Sequence, residues 1–298
     1  EDDMARRDFS INAMAFPLHL GASGQLVDPF GGQMDLYHNV IRTLHIKSFV
    51  HDATRIMRAV RYEQRLGFKM DEDTESILRR DLPMLDTISG DRLQKEIALW
   101  FNEKDFPSVL FRARELGVLT AIHPPLAKAT KELLDGANKV AKLALDIQVC
   151  LGLLAYSQTQ SEGEGFIGRL RLTPRWASVV RDTITLKDKL PMFSEQNMSP
   201  AQIYDGLAHS NPWAVQACAL VVKDEHAIRN LTLFLEKLRY VKLHLGGRDI
   251  IDFGVPQGPA IGEMLVKLRY ARLAGVVNSR IDEEAMVLEW LGAENSQV

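Results

Sequence analysis

His51-Asp52-Ala53-Thr54-Arg55-Ile56-Met57-Arg58-Ala59-Val60-Arg61 is the stretch at which the sequence changes character. Ala53, Ile56, Met57 and Val60 recur at helical spacing, and Gly67 stands where such a helix would stop. On that helix Arg58, Arg61 and Arg65 project within one sector with Arg55 nearby, while Ile56 and Val60 face elsewhere. Asp52 sits at the helix start, where a carboxylate can cap the first N–H groups.

Downstream the pattern stays helical almost to the end. Apolar positions three or four apart predict helices over 73–81, 90–102, 106–116, 136–155, 175–190, 200–208, 213–222, 224–241, 258–273 and 281–291. Breaks rich in Pro and Gly fall at 123–125, 158–165, 191–200 and 254–259. Upstream, 9–16, 24–28 and 40–46 read as short strands, with Asp28-Pro29-Phe30-Gly31-Gly32 as a turn. The expected fold class is therefore mainly α with a small β portion, and no repeat of fixed period is visible.

Composition narrows the function classes. The 298 residues are 46% hydrophobic and 25% charged, enough for a sizeable core and more than one domain. A net charge of -3 gives no global basic field, so a nucleic-acid partner must be held by local patches. The two cysteines, Cys150 and Cys218, lie far apart among apolar residues, which fits reduced buried thiols better than disulfides or zinc. No apolar run reaches the roughly 18 to 20 residues of a membrane span, and no signal peptide opens the sequence; a cytoplasmic protein is expected. Because the sequence opens on Glu1-Asp2-Asp3 within a motif region, a fragment of something longer is expected as well.

Two strings carry chemistry. In Arg6-Arg7-Asp8-Phe9-Ser10-Ile11-Asn12-Ala13, adjacent guanidinium forks suit phosphate oxygens, and Asp8 and Asn12 could meet a sugar hydroxyl or orient those arginines. An exposed basic turn is the plainer alternative. In the second string, Asp52 and Arg55 offer an acceptor beside a donor. Cytosine and adenine both show an amino donor beside a ring-nitrogen acceptor, whereas guanine and uracil put a carbonyl where that amino group should be. A solvated arginine stripe is the alternative there. Asp71-Glu72-Asp73 mimics a metal motif, but its position before a helix makes it a cap and first-turn acid cluster. Gly246-Gly247-Arg248-Asp249 mimics a phosphate loop without the strand of an enzyme core around it. Six Lys or Arg over 169–190, against Asp182 and Asp188, could track phosphates or simply face solvent.

Taken in order, Arg6-Arg7-Asp8-Phe9-x-x-Asn12-Ala13, Asp28-Pro29-Phe30-Gly31-Gly32, Ile41-Arg42-Thr43 and Asp52-x-x-Arg55-x-x-Arg58-Ala59-x-Arg61 resemble the class II tRNA nucleotidyltransferases and bacterial poly(A) polymerases. Leu66-Gly67-Phe68 and Ser89-Gly90-Asp91-Arg92-Leu93 continue the resemblance, as does Gly247-Arg248-Asp249-Ile250-Ile251 in the tail. The resemblance implies a polymerase-β-like head followed by helical neck, body and tail. On that frame 1–47 is the end of the catalytic head, 48–102 the nucleotide-selecting neck, 103–198 the body and 199–298 a tRNA-binding tail. It implies template-independent addition of C and A to the tRNA 3′ end from CTP and ATP. Arg7, Asp52, Arg55, Arg58 and Arg61 would bind the nucleotide, with Arg7, Arg58 and Arg61 chiefly around its triphosphate. The family's catalytic Mg²⁺-binding carboxylates and Gly-Gly motif precede the arginine motif, so they are expected upstream of Glu1, and this chain alone is expected to be inactive. His51 stands where the family usually has Glu, and the choice of nucleotide turns on it. An A-only or CC-only adding enzyme and a poly(A) polymerase share these motifs. A non-catalytic RNA-binding module is the alternative from another class.

Overall fold

A computed structural model describes residues 2–17, 24–128, 131–143, 146 and 148–295. The chain divides into two compact units, Glu1–Thr185 and Leu186–Val298.

The first unit opens with two 3-10 turns, Met4–Arg6 and Ser10–Asn12, where a strand over 9–16 was expected. Local bonds win there. The Asp8 carboxylate accepts the Phe9 N–H and the Asn12 amide, and Asn12 and Ala13 close turns onto Phe9 and Ser10. Only single bridges survive, Phe9 with Thr43 and Ala15 with Val27. Helix α1 (Gly32–Tyr37) follows, in a region read only as far as its turn. Asp28 is its missed signal: its carboxylate accepts the Gly32 and Gln33 N–H groups at 2.7 and 2.9 Å. Gly32 is required by packing, since a Cβ there would lie 2.3 Å from the Ser10 carbonyl. The strand expected over 40–46 shrinks to β1 (Val40–Ile41), which pairs in parallel with β2 (Lys69–Met70).

Between them lie α2 (Ser48–His51) and α3 (Thr54–Leu66). Ile56, Met57, Ala59 and Val60 are fully buried, and Gly67 ends α3 in the left-handed conformation at φ 66°, as the spacing predicts. Helix α4 (Glu72–Asp81) is capped by Asp71, which accepts the Thr74 N–H. Then come α5 (Gly90–Phe101), α6 (Phe106–Glu115), α7 (Val118–Ile122), α8 (Lys131–Lys142), α9 (Val149–Ala155) and α10 (Gln160–Leu170). Trp100 of α5 is fully buried and its indole N–H donates to the Met57 carbonyl at 2.9 Å, fastening α5 to α3.

Two helical expectations in this unit differ from the structure. The single helix over 136–155 is two helices, α8 and α9, and its residues 144, 145 and 147 lie outside the described ones. The break at 158–165 is the start of α10, where Thr159 and Glu162 cap each other reciprocally.

A buried charge network ties α3, α4 and α6. Glu63 accepts the Met70 N–H at 3.0 Å and Arg112 Nε at 2.8 Å; Arg112 also reaches Glu75 at 2.5 Å and Glu115 at 3.0 Å. These carboxylates outweigh burial and hold the Arg112 guanidinium firmly charged.

Helix α11 (Pro174–Lys189) carries the chain into the second unit. There α12 (Pro200–Leu207), α13 (Pro212–Val221) and α14 (Glu225–Glu236) begin behind Ser199, Asn211 and Asp224, each accepting an N–H of the first turn. A 3-10 turn at Leu238–Tyr240 takes the end of the helix expected to reach 241. Helices α15 (Gly247–Asp252), α16 (Pro259–Leu273) and α17 (Arg280–Asn295) close on a core of Leu245, Ile250, Met264, Leu268 and Val287. The Gly-Gly-Arg-Asp string is a helix start: Asp249 accepts the Gly246 N–H at 2.7 Å and pairs with Arg280.

Cys150 in α9 and Cys218 in α13 are buried, and burial pushes both thiols up to about 12. Neither should react with a disulfide reagent at pH 8 until the protein unfolds, so labelling should track the denaturation curve. Rapid labelling of the native protein would contradict their burial.

Candidate nucleotide site

The first turns of the chain, α3 and α5 meet at a cleft of about 640 Å³. Its walls carry Arg6, Arg7, Arg55, Arg58, Arg92 and Lys95 against three carboxylates, Asp8, Asp52 and Glu96. An acidic protein has here concentrated positive charge in one concavity, which is the local patch its composition requires for an anionic partner.

Each group is held in place. Asp52 lies just ahead of the first turn of α3, and three donors converge on its Oδ1: the Thr54 N–H at 3.1 Å, the Thr54 hydroxyl at 2.7 Å and Arg92 Nη2 at 2.8 Å. Burial alone would raise its pKa; the Thr54 hydrogen bonds and the Arg92 charge outweigh that and hold the carboxyl below its ordinary value. Arg55, one turn further on, donates to Ser48 Oγ at 2.9 Å and to the Arg6 carbonyl at 2.5 Å. Arg58 sends Nε and Nη2 to a single Asp8 oxygen at 2.8 and 2.6 Å and lies over the Tyr62 ring. Asp8 thus orients an arginine, though one from the distant helix rather than its own pair. Arg7 pairs with Asp3 at 2.7 Å with both side chains largely in solvent, so this contact costs little to exchange.

Arg61 behaves differently. It does not line the cleft; it is buried behind it, 3.3 Å from Glu103 and 3.8 Å from Glu96, with its guanidinium over the same Tyr62 ring that Arg58 covers. The expected single-sector stripe is therefore split between a cleft-facing Arg58 and a supporting Arg61. Burial pushes the Glu96 carboxyl up against the pull of Arg61 and Arg58, and its Oε2 is buried without a hydrogen bond. His51 ends α2 on the exposed side, its ring 4.9 Å from that of His45, and it does not line the cleft.

Arg92, Lys95 and Glu96 were missed as site residues. Their signal was present: Arg92 belongs to the Ser-Gly-Asp-Arg-Leu string, and positions 92, 95 and 96 share one helical face. The basic run at 169–190 resolves partly into internal contacts. Arg169 donates to the Ile88 and Leu85 carbonyls, Arg171 pairs with Asp91, and Arg181 with Glu164.

Among the described residues no group of three or more His, Cys, Asp or Glu could hold a metal ion. The cleft carboxylates Asp8 and Asp52 are engaged by arginines, and Asp71 is committed to its helix cap and to Arg42 at 2.5 Å. These residues do not fit a two-metal centre.

A family model described as the Poly A polymerase head domain matches residues 1–42. The A-adding tRNA nucleotidyltransferase of Geobacter sulfurreducens is 31% identical over 300 residues, covering 94% of this chain and 34% of that protein. The CCA-adding enzyme of Streptococcus gordonii is 30% identical over 288 residues, covering 92% of this chain and 68% of that enzyme. The chain belongs to the tRNA nucleotidyltransferase family. It spans about a third of the length of the A-adding relative. The solved Thermotoga maritima CCA-adding enzyme complexed with tRNA aligns at a TM-score of 0.78 with 25% identity, over 97% of this chain and 73% of that one. Seen as a tRNA nucleotidyltransferase, the chain has its cleft where the head segment, with Arg6, Arg7, Asp8 and Asn12, meets the helices that carry Asp52 and Arg92. No described helix is long and apolar enough to cross a membrane.

Proposed function

We propose that this chain supplies the nucleotide-selecting site of a template-independent nucleotidyltransferase that extends the 3′ end of tRNA with AMP. The observation that carries this reading is the Asp52 carboxylate, kept ionised and pinned through Oδ1 at the wall of a cationic cleft, with Arg55 one turn away. Its other oxygen would accept from the amino group of adenine while Arg55 donates to the ring nitrogen. Arg7 and Arg58, with Arg6 and Lys95, would take the triphosphate, and Arg61 would support Arg58 from behind through Tyr62 and Glu96. The 3′ hydroxyl would attack the α-phosphorus and give up its proton to solvent as the new O–P bond forms. The bond from the α-phosphorus to the bridging oxygen of the β,γ-phosphates would break, and pyrophosphate would leave. Mg²⁺, expected from the family resemblance, would be held by carboxylates other than those of the described residues. Residues 48–102 would act as the selecting neck, and 103–198 and 199–298 as the body and tail that hold tRNA in the cytoplasm.

Addition of A alone is supported by the relative named A-adding and by His51 in place of the family's usual Glu. Full CCA addition is the second reading, supported by the CCA-adding relative of which the chain covers 68%. Cytosine presents the same amino-and-nitrogen edge, so the cleft chemistry admits both. The test is incorporation by the full-length protein on tRNAs ending before the first C, after CC and after CCA, with CTP, ATP or both. A single A on the CC-ended tRNA is the expected result. Ordered C, C, A moves the assignment to CCA addition, an unending A tail to poly(A) synthesis, and no incorporation contradicts the reading.

A further inference from the structure

We propose that the corner at the end of α10, Arg169 to Arg171, is a positioning element for base selection that acts on the cleft from outside it; this rests on the reading of Asp52 as the base-reading group.

The corner grips the start of α5 from two directions. Arg169 Nη1 and Nη2 donate to the carbonyls of Ile88 and Leu85 at 3.0 and 2.7 Å, immediately before α5 begins. Arg171 Nη1 meets Asp91 at 3.2 Å, inside the first turn. Between these contacts Gly90 lies so close to the corner that a Cβ would stand 2.7 Å from the Arg169 carbonyl and 2.8 Å from Arg171 Cγ. Two residues on, Arg92 turns to the other side and donates to Asp52 Oδ1 at 2.8 Å and Thr54 Oγ1 at 3.3 Å. The path from corner to carboxylate therefore has hydrogen bonds at both ends, joined by the covalent backbone of one helix start.

The backbone of the corner gives the independent argument. Arg171 ends α10 at φ 49°, ψ 49°, the left-handed region that glycine enters at no steric cost. An arginine is used there although glycine would relieve the strain, and among the described residues its side chain packs on Gly90 and pairs with Asp91. That pair is exposed on both sides and weak as a stability device, with side chains 67% and 59% accessible. Strain kept for a weak surface contact is better explained by position than by stability. The position served is that of Arg92, and through it the choice of which Asp52 oxygen faces the base. With Arg92 displaced, Oδ1 keeps only the two Thr54 donors, so the carboxylate is held less firmly and a base carrying a carbonyl at that edge is refused less strictly.

The experiment uses the full-length protein with Arg169→Ala, Arg169→Lys and Arg171→Gly, reading kcat/KM for ATP, GTP and UTP, KM for tRNA, and Tm. Arg169→Ala should lower the preference for ATP over GTP and UTP by about tenfold, with KM for tRNA unchanged. Arg169→Lys, which lacks the planar fork whose two nitrogens each serve one carbonyl, should recover only part of it. Arg171→Gly should lose selection in the same direction while its Tm holds or rises. A purely structural corner gives the opposite pattern, a lower Tm with selection intact, and that result overturns the proposal. So does a loss confined to the KM for tRNA. A wild type that incorporates no nucleotide overturns the proposed function and this inference together, and is thereby distinguished from an active wild type whose variants select normally.

Discussion

Asp52→Ala in the full-length protein is expected to lower kcat/KM for ATP by about a hundredfold, because a hydrogen bond to a charged group contributes about 1.5–3 kcal/mol and the loss here falls on a positioned base. KM for tRNA should stay within error of the wild type. Selection against GTP should fall further still, since the carboxylate rejects a carbonyl as strongly as it welcomes an amino group. The Thr54 and Arg92 contacts to Oδ1 sharpen the expectation: they hold the side chain ionised and in one orientation, so its removal deletes a prepared acceptor rather than a mobile surface acid. Steady-state kinetics with each nucleotide separately gives the answer. Unchanged selection would remove Asp52 from the site.

The largest stability effect should come from a residue with no part in the cleft. Arg112→Ala is expected to destabilise the first unit by about 3–5 kcal/mol, because it strands the buried Glu63 carboxylate without its cation. Glu75 keeps Arg79 at 2.7 Å and suffers less. The double variant Glu63→Gln with Arg112→Met should recover most of the loss, since removing both charges leaves no unpaired one and Gln can still accept the Met70 N–H. Urea unfolding of the three proteins measures this directly. An Arg112→Ala protein as stable as wild type would mean that Glu63 is not the buried anion described.

What the sequence made legible, and what it did not, follows the range of the interactions. Helix α3 could be read because its signals are local: apolar residues at helical spacing and a glycine stop at Gly67. The Asp71 cap was readable for the same reason. The start of helix α10 was misread as a break because Gly163 and Gly165 look like loop residues. Gly163 is there for packing, as a Cβ would lie 2.4 Å from Ile184 Cδ1, and the Thr159–Glu162 box was the cue that outranked it. The strand over 9–16 failed because an apolar run cannot report that Asp8 and Asn12 will take the local backbone into turns. In the site, Arg7, Asp52, Arg55 and Arg58 came from motifs, whereas the burial of Arg61 depends on Glu96 and Glu103, far along the chain and invisible to any local pattern. Arg92 lay inside the Ser-Gly-Asp-Arg-Leu string, but its contact with Asp52 appears only once α5 is seen to face that residue.

On this reading protein side chains, Asp52 first among them, read the amino edge of the incoming base, a choice that can be measured. The measurement that reaches it most directly compares ATP with an ATP analogue lacking the 6-amino group, on the full-length wild type and on Asp52→Ala, with a tRNA ending in CC. The wild type should use the analogue about a hundredfold less well, and Asp52→Ala should treat the two alike. A wild type that uses both equally would contradict the account, because the carboxylate would then have no amino group to read.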